Sequence, residues 1–300
     1  MPKNGRLAKL ALVNVPFRFA ICNELFQNMP LSEGCAAAQG LGYSGIELAP
    51  FTLADDPATL DAPKRREIRS TISDHNLTFV GLHWLLAAPA GLHITTPDLA
   101  VRRRSWDYVR RLVDLCADLA GSRRSDNGIL VFGSPKQRST VDGIDRMAAA
   151  DVFADELAGV APHAEQRGVQ LLVEALPFAQ SDVVNSLAEA AAIVDRIGSP
   201  AVQTMFDVHN AVDEKMAHSD LIRKYFRYIR HIHVNELDGR EPGTGDYDFA
   251  GLLETLAALN YSGWVSLEAF DFSRDARAIA AHAMARLQSA LPAAAIAKTI

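Results

Sequence analysis

The stretch that decides the fold reads Gly168-Val-Gln-Leu-Leu-Val-Glu174-Ala-Leu-Pro177, continues through a helical pattern over 186–197 that stops at Gly198-Ser199-Pro200, and resumes as Val202-Gln-Thr-Met-Phe-Asp207-Val-His209-Asn210. Two short apolar runs, each ending on an ionisable residue, flank one whole helix. Strands connected in that way run parallel. Gly198 followed by Pro200 is a helix stop with a mechanism, because glycine takes up the left-handed cap conformation and proline cannot continue the helix.

Outward from this unit the same alternation repeats. Strands are predicted at 8–14, 45–49, 78–84, 128–133, 169–174, 202–207, 229–235 and 263–268. Helices are signalled at 64–76, at 98–120, which opens on Pro97-Asp98 and closes at Gly121, and at 186–197. Eight strand–helix units without a linker or a break in composition predict an α/β protein, a single (β/α)8 TIM barrel occupying residues 1–300 as one domain. The rival is an open Rossmann-like sheet. It would carry a G-x-G-x-x-G turn after its first strand, and none follows here.

The chain has 300 residues, 49% hydrophobic and 22% charged, enough for a large buried core. A net charge of −6 argues against nucleic acid as a partner, since such surfaces depend on Lys and Arg, and fits a small-molecule enzyme. Arg102-Arg-Arg104 falls within a predicted helix beside Asp98 and Asp107 and reads as a solvated face. Cys22, Cys35 and Cys116 show no C-x-x-C spacing, so neither a disulfide framework nor a thiolate zinc site is indicated. The first residues resemble no secretory signal, and no segment approaches the roughly 20 apolar residues of a membrane helix, so the expectation is a cytoplasmic protein without a membrane partner.

In a barrel the chemistry sits at the C-terminal ends of the strands. The fifth strand ends on Glu174, the sixth on Asp207, and the eighth, Trp264-Val-Ser-Leu-Glu268, on another acid. Side-chain alternation puts Asp207 and His209 on one side, and likewise His231, His233 and Asn235 of the seventh strand. Any one of these residues is equally well a salt-bridge partner, a helix cap or a core histidine. Together, two Glu, an Asp and at least one His on four successive strands would repel unless a cation joined them, and the oxygen and nitrogen set suits Mn²⁺, Co²⁺, Mg²⁺ or Zn²⁺.

The front half offers Glu47, Asn14, and His83 and Trp84 after the third strand. Lys136 and Arg138 stand in Phe132-Gly133-Ser-Pro-Lys136-Gln137-Arg138, and each of these residues has a structural reading beside a substrate-binding one. Arg240, in Gly239-Arg240-Glu-Pro-Gly-Thr-Gly245, would either donate forked hydrogen bonds to substrate oxygens or pair with Glu241 or Asp238.

Leu172-Val-Glu174-Ala, Phe206-Asp207-Val-His209, His231-Ile-His233-Val-Asn235-Glu236 through Gly245, and Asn260-Tyr-Ser-Gly-Trp-Val-Ser-Leu-Glu268 resemble the xylose isomerase-like sugar phosphate isomerase/epimerase superfamily, which includes ketose 3-epimerases and hydroxypyruvate isomerase. The resemblance covers most of the chain and is most specific from 168 to 270. It implies one divalent metal, Mn²⁺ first, held by Glu174, Asp207, His233 and Glu268, with Glu174 and Glu268 also serving as acid and base. It further implies a sugar, keto-sugar or sugar phosphate as substrate, contact to it from Arg240, and a homodimer or tetramer; His83, Lys136 and Glu47 are substrate-contact candidates by their places in the sequence, and His209 would either contact the substrate from a shifted position or hold a ligand carboxylate. The sequence departs from the family at the sixth strand, where Asp-x-x-His is usual and Asp207-x-His209 stands instead. A lyase using the same metal and carboxylates is the main alternative. A three-zinc abasic-site endonuclease would need more ligands on the early strands than His83, His93 and Glu47, and a noncatalytic binding module would gain nothing from opposed carboxylates.

Overall fold

The computed structural model describes residues 17–121 and 128–292. Its eight strands form a closed parallel barrel in sequence order, β1 (Arg18–Cys22), β2 (Gly45–Leu48), β3 (Thr78–Leu82), β4 (Ile129–Phe132), β5 (Gln170–Val173), β6 (Val202–Asp207), β7 (Ile229–Val234) and β8 (Trp264–Leu267). β1 closes the ring against β8, with Arg18 opposite Trp264 and Ile21 opposite Leu267. Seven strands lie where the apolar runs predicted them, within a residue or two. The first does not. The expected strand at 8–14 and the candidate Asn14 lie outside the described residues, and Arg18–Cys22 takes the first place in the barrel. A charged residue opens that strand because the Arg18 guanidinium lies 3.9 Å over the Trp264 ring, a contact an arginine tolerates where an isolated charge would not.

Helices α1 (Leu31–Gly40), α2 (Ala62–Asp74), α3 (Leu99–Ala120), α4 (Arg146–Arg167), α5 (Leu187–Ile197), α6 (His218–Tyr225), α7 (Phe249–Ala258) and α8 (Ala276–Ser289) follow the strands in turn. Most of their starts are set by side chains accepting the free amides of the first turn, α1 and α6 being the exceptions. Asp61 accepts from Lys64, Asp98 from Ala100 and Val101, Asp145 from Met147 and Ala148, Ser186 from Glu189, and Asp275 from Ala278. No helix among the described residues is long and apolar enough to cross a membrane.

The apolar faces of the helices bury against the outside of the sheet, in a core that includes Trp106, Phe132 and Phe153 on one side and Phe206, Ile232 and Phe249 on the other. Inside the barrel the floor is a smaller apolar cluster of Ala20, Val80, Ile129, Val131, Leu172, Met205 and Trp264. Gly81 makes room for it, since a Cβ there would overlap the side chain and carbonyl of Ile129 on the neighbouring strand. Above this floor the barrel fills with ionisable groups instead of Val, Ile and Leu. Cys22, Glu24, Glu47, His83, His231 and His233 are all at most 1% exposed. Such a layer costs desolvation energy that only close pairing can offset.

Candidate metal and active site

Glu174 and Glu268 each stand one residue beyond a strand, Asp207 ends β6 and His233 lies within β7, so four adjacent strands deliver them to one point on the barrel axis. One ligand-type atom from each of the four lies within 4.8 Å of the others. All four are buried, at 5%, 4%, 0% and 3% exposure in the order Glu174, Asp207, His233 and Glu268. His233 Nδ1 is 2.9 Å from Glu268 Oε2 and 3.5 Å from Asp207 Oδ2, yet it makes no hydrogen bond of acceptable geometry. A buried imidazole nitrogen aimed at carboxylate oxygens without a hydrogen bond is what a divalent cation would satisfy, and with no sulfur in the set the donors are those of Mn²⁺, Co²⁺, Mg²⁺ or Zn²⁺.

The carboxylates are held from outside the cluster. Asn210 donates its side-chain amide to Glu174 Oε1 (2.9 Å) and its backbone N–H to Asp207 Oδ1 (2.7 Å). Asn235 donates to Asp207 Oδ2 at 3.2 Å. The Trp84 indole N–H donates to Glu268 Oε1 at 2.8 Å, from a residue whose φ of +50° lies in the left-handed region that bulky side chains rarely adopt. Arg138, fully buried, donates to the backbone carbonyls of Phe132 (2.7 Å) and Glu174 (2.8 Å) and so fixes the end of β5.

Electrostatics show the cost of this convergence. Burial, then the charges of Glu268 and Asp207, push the Glu174 carboxyl up to about 8. Burial also raises Glu268, but the His233 charge outweighs it and holds that carboxyl below its usual range. Burial opposes charge on His233 too, and the carboxylates of Glu47 and Glu268 overcome it, lifting the imidazole well above its ordinary value. Without a cation, then, protons occupy the cluster to limit repulsion.

A cavity of about 440 Å³ opens directly over Glu174 and Glu268. Trp84, Leu176 and Phe270 form apolar walls, with Trp84 and Phe270 stacked at 6.1 Å, while Ser134, Lys136, Gln137, Gln180 and Asn210 bring polar groups. Of the residues expected to touch substrate, Lys136 faces this cavity. His209 does not. β6 ends at Asp207, so strand alternation no longer governs two residues later, and the His209 ring is turned to the Leu237 carbonyl (2.7 Å) and Gln180 (3.0 Å). Asn210, three residues past Asp207, takes the cavity position. Arg240 also lies outside the cavity lining, in the loop salt bridge that was its alternative reading, with Nε and Nη2 each 2.7 Å from Asp238 Oδ2.

Glu47 and His83 sit below the cluster and away from the cavity. Glu47 is a mid-strand residue at 0% exposure, its oxygens 2.8 Å from His231 Nε2 and 3.2 Å from His233 Nε2. Burial raises its pKa, but the charges of His231 and His233 outweigh that and hold it well below the carboxylate range. His83 is drawn down by Glu24, at 2.6 Å. Glu24, Asn210, Gln180 and Phe270 carried no assignment from the sequence. Only Asn210 and Phe270 had a signal there, being next to assigned strand ends.

Gly133, at the end of β4, leaves the space that Glu174 Oε2 occupies, and a Cβ there would overlap that oxygen. Gly133→Ala is therefore expected to fold, because the flexible carboxylate can yield, while losing about 100-fold in turnover from displacement on the order of 1 Å. Melting temperature measured beside kcat checks both halves.

A family model described as xylose isomerase-like TIM barrel matches residues 35–290. A putative hydroxypyruvate isomerase of Streptomyces coelicolor is 28% identical over 254 residues, 81% of this chain and 87% of that protein. An L-ribulose 3-epimerase of Mesorhizobium japonicum is 29% identical over 229 residues, 76% of this chain and 72% of that protein. Among solved structures, a D-psicose 3-epimerase crystallised with D-fructose superposes with a TM-score of 0.78 at 19% identity, covering 92% of this chain and 99% of that one.

Proposed function

We propose that this chain, which belongs to the xylose isomerase-like TIM barrel family, is a divalent-metal-dependent enzyme that epimerises or isomerises a small keto-sugar by moving a proton next to its carbonyl. The observation that carries the reading is the pairing of Glu174 and Glu268, two buried carboxylates lining one cavity, with a buried imidazole nitrogen beside Glu268 and Asp207 that makes no hydrogen bond. The relatives named as L-ribulose 3-epimerase and putative hydroxypyruvate isomerase support the substrate class.

Glu174, Asp207, His233 and Glu268 would hold the cation, and Mn²⁺ is our choice for so oxygen-rich a set. When bound, the cation would polarise the carbonyl and offset the negative charge that develops on it. The protein's own groups do the rest. Each glutamate has one oxygen fixed by a neighbour, Glu174 by Asn210 and Glu268 by Trp84, which sets the orientation of the other. One carboxylate removes the proton from the carbon and the other returns one, to the opposite face in an epimerisation or to the adjacent carbon in an isomerisation. Trp84, Leu176 and Phe270 exclude water from the reacting face, and Asn210, Gln180 and Lys136 offer hydrogen bonds to hydroxyls.

The reading is tested by incubating the Mn²⁺-loaded protein with ketohexoses and ketopentoses in D2O. Deuterium entering one carbon beside the carbonyl, seen by NMR together with a new epimer or aldose, is the expected result. Elimination products without epimer would point to a lyase instead.

A second expectation follows from the proton load of the cation-free cluster. Glu174, at about 8, is protonated at neutral pH and must lose that proton to bind a cation. Affinity for Mn²⁺ should therefore rise as pH increases towards 8 and fall below it, by up to about tenfold per unit for each proton displaced. Titration calorimetry at pH 7 in two buffers of different ionisation enthalpy should show proton release.

A further inference from the structure

The layer beneath the cation site contains a carboxylate that the reaction does not use. Glu47 is inaccessible from the cavity, and three imidazoles surround it. His231 Nε2 is 2.8 Å from Oε2, His233 Nε2 is 3.2 Å from both oxygens, and His83 Nδ1 is 3.6 Å from Oε1. Stability alone is a poor reason for such a group, because well-packed apolar residues of similar volume usually serve a core as well or better. Its geometry toward His233 is specific. The two nitrogens of that ring face different partners, Nε2 toward Glu47 below and Nδ1 toward Glu268 and Asp207 above.

We propose that Glu47 is the positioning residue of the cation site, accepting a hydrogen bond from His233 Nε2–H so that Nδ1 presents its lone pair upward to the cation. An imidazole carrying one proton must place it on one nitrogen or the other, and a carboxylate at Nε2 decides the choice. It also fixes the plane of the ring. His231 has a supporting part, since its N–H occupies Glu47 Oε2 and keeps that carboxylate from turning away. The inference rests on the proposed function only in requiring that the cluster binds a cation.

The test combines a variant with a measurement on the unaltered protein. Glu47→Gln preserves volume and one acceptor oxygen but removes the charge and replaces the other oxygen with a donor. It is expected to weaken Mn²⁺ binding by about 10- to 100-fold, and to change the visible absorption of the Co²⁺-loaded protein. Wild-type affinity with an unchanged Co²⁺ spectrum would reduce Glu47 to a packing residue. For wild-type protein loaded with Zn²⁺, ¹⁵N NMR of the imidazoles should find the His233 proton on Nε2, a result that does not depend on how well the variant folds. A proton on Nδ1 would overturn the proposal. So would a thiolate-to-cobalt charge-transfer band, because Cys22 Sγ lies 3.9 Å from His233 Nε2 and that band would mean the cation binds below the ring, among Cys22, Glu47 and His233. Failure of wild-type protein to bind any divalent cation would end both readings, whereas normal binding that ignores Glu47 would end this one alone.

Discussion

Glu268→Gln is expected to lower kcat by about 10²- to 10⁴-fold, the range that a positioned general acid or base contributes. A glutamine keeps the volume and can still accept the Trp84 indole N–H, so the wall of the cavity should survive the change. What it cannot do is take up or release a proton. Glu174→Gln should behave in the same way, with Asn210 still finding an amide oxygen to donate to. The two variants should differ in which direction of the reaction, or which epimer as substrate, loses deuterium exchange first, because the proposed reaction assigns the two carboxylates to opposite faces of the reacting carbon. Rates within threefold of wild type for either variant, at saturating Mn²⁺, would remove that glutamate from the chemistry.

Removal of the cation should have an effect as large. After chelation, activity is expected to fall to background and to return with Mn²⁺. Binding should also appear without any substrate, since a ligand at one hundred times its Kd stabilises the folded state by about 2.7 kcal/mol. That is a shift of several degrees in melting temperature for a chain of this size. His233→Ala should abolish the shift, because it deletes the one nitrogen in the cluster and leaves three carboxylates that repel. A melting temperature raised equally by Mn²⁺ in wild type and in His233→Ala would place the cation elsewhere.

Much of this was readable from sequence because a barrel ties function to periodicity. Glu174, Asp207 and Glu268 each end an apolar run, and the runs alone located seven strands to within a residue or two. The misreadings have definite physical origins. Arg18 carries no local sign that it opens a strand, since the ring of Trp264 that receives its guanidinium is 246 positions away and invisible locally. His209 was assigned by alternation past the point where the strand stops. Glu47 and His83 were read as mouth residues because sequence gives the identity of a strand residue but not its depth along the barrel axis. Depth is set by strand stagger and by partners such as Glu24, which lies 59 positions before His83. Arg240 had its true partner two residues away at Asp238, and there the nearer explanation held.

The most direct measurement is the anomalous scattering of a crystal of the protein soaked in Mn²⁺. A single strong peak is expected, enclosed by the carboxylates of Glu174, Asp207 and Glu268 with His233 Nδ1 as the nitrogen ligand. No peak there at saturating Mn²⁺, or a peak bound instead among Cys22, Glu24 and His83, would contradict the central claim that these four residues form the cation site.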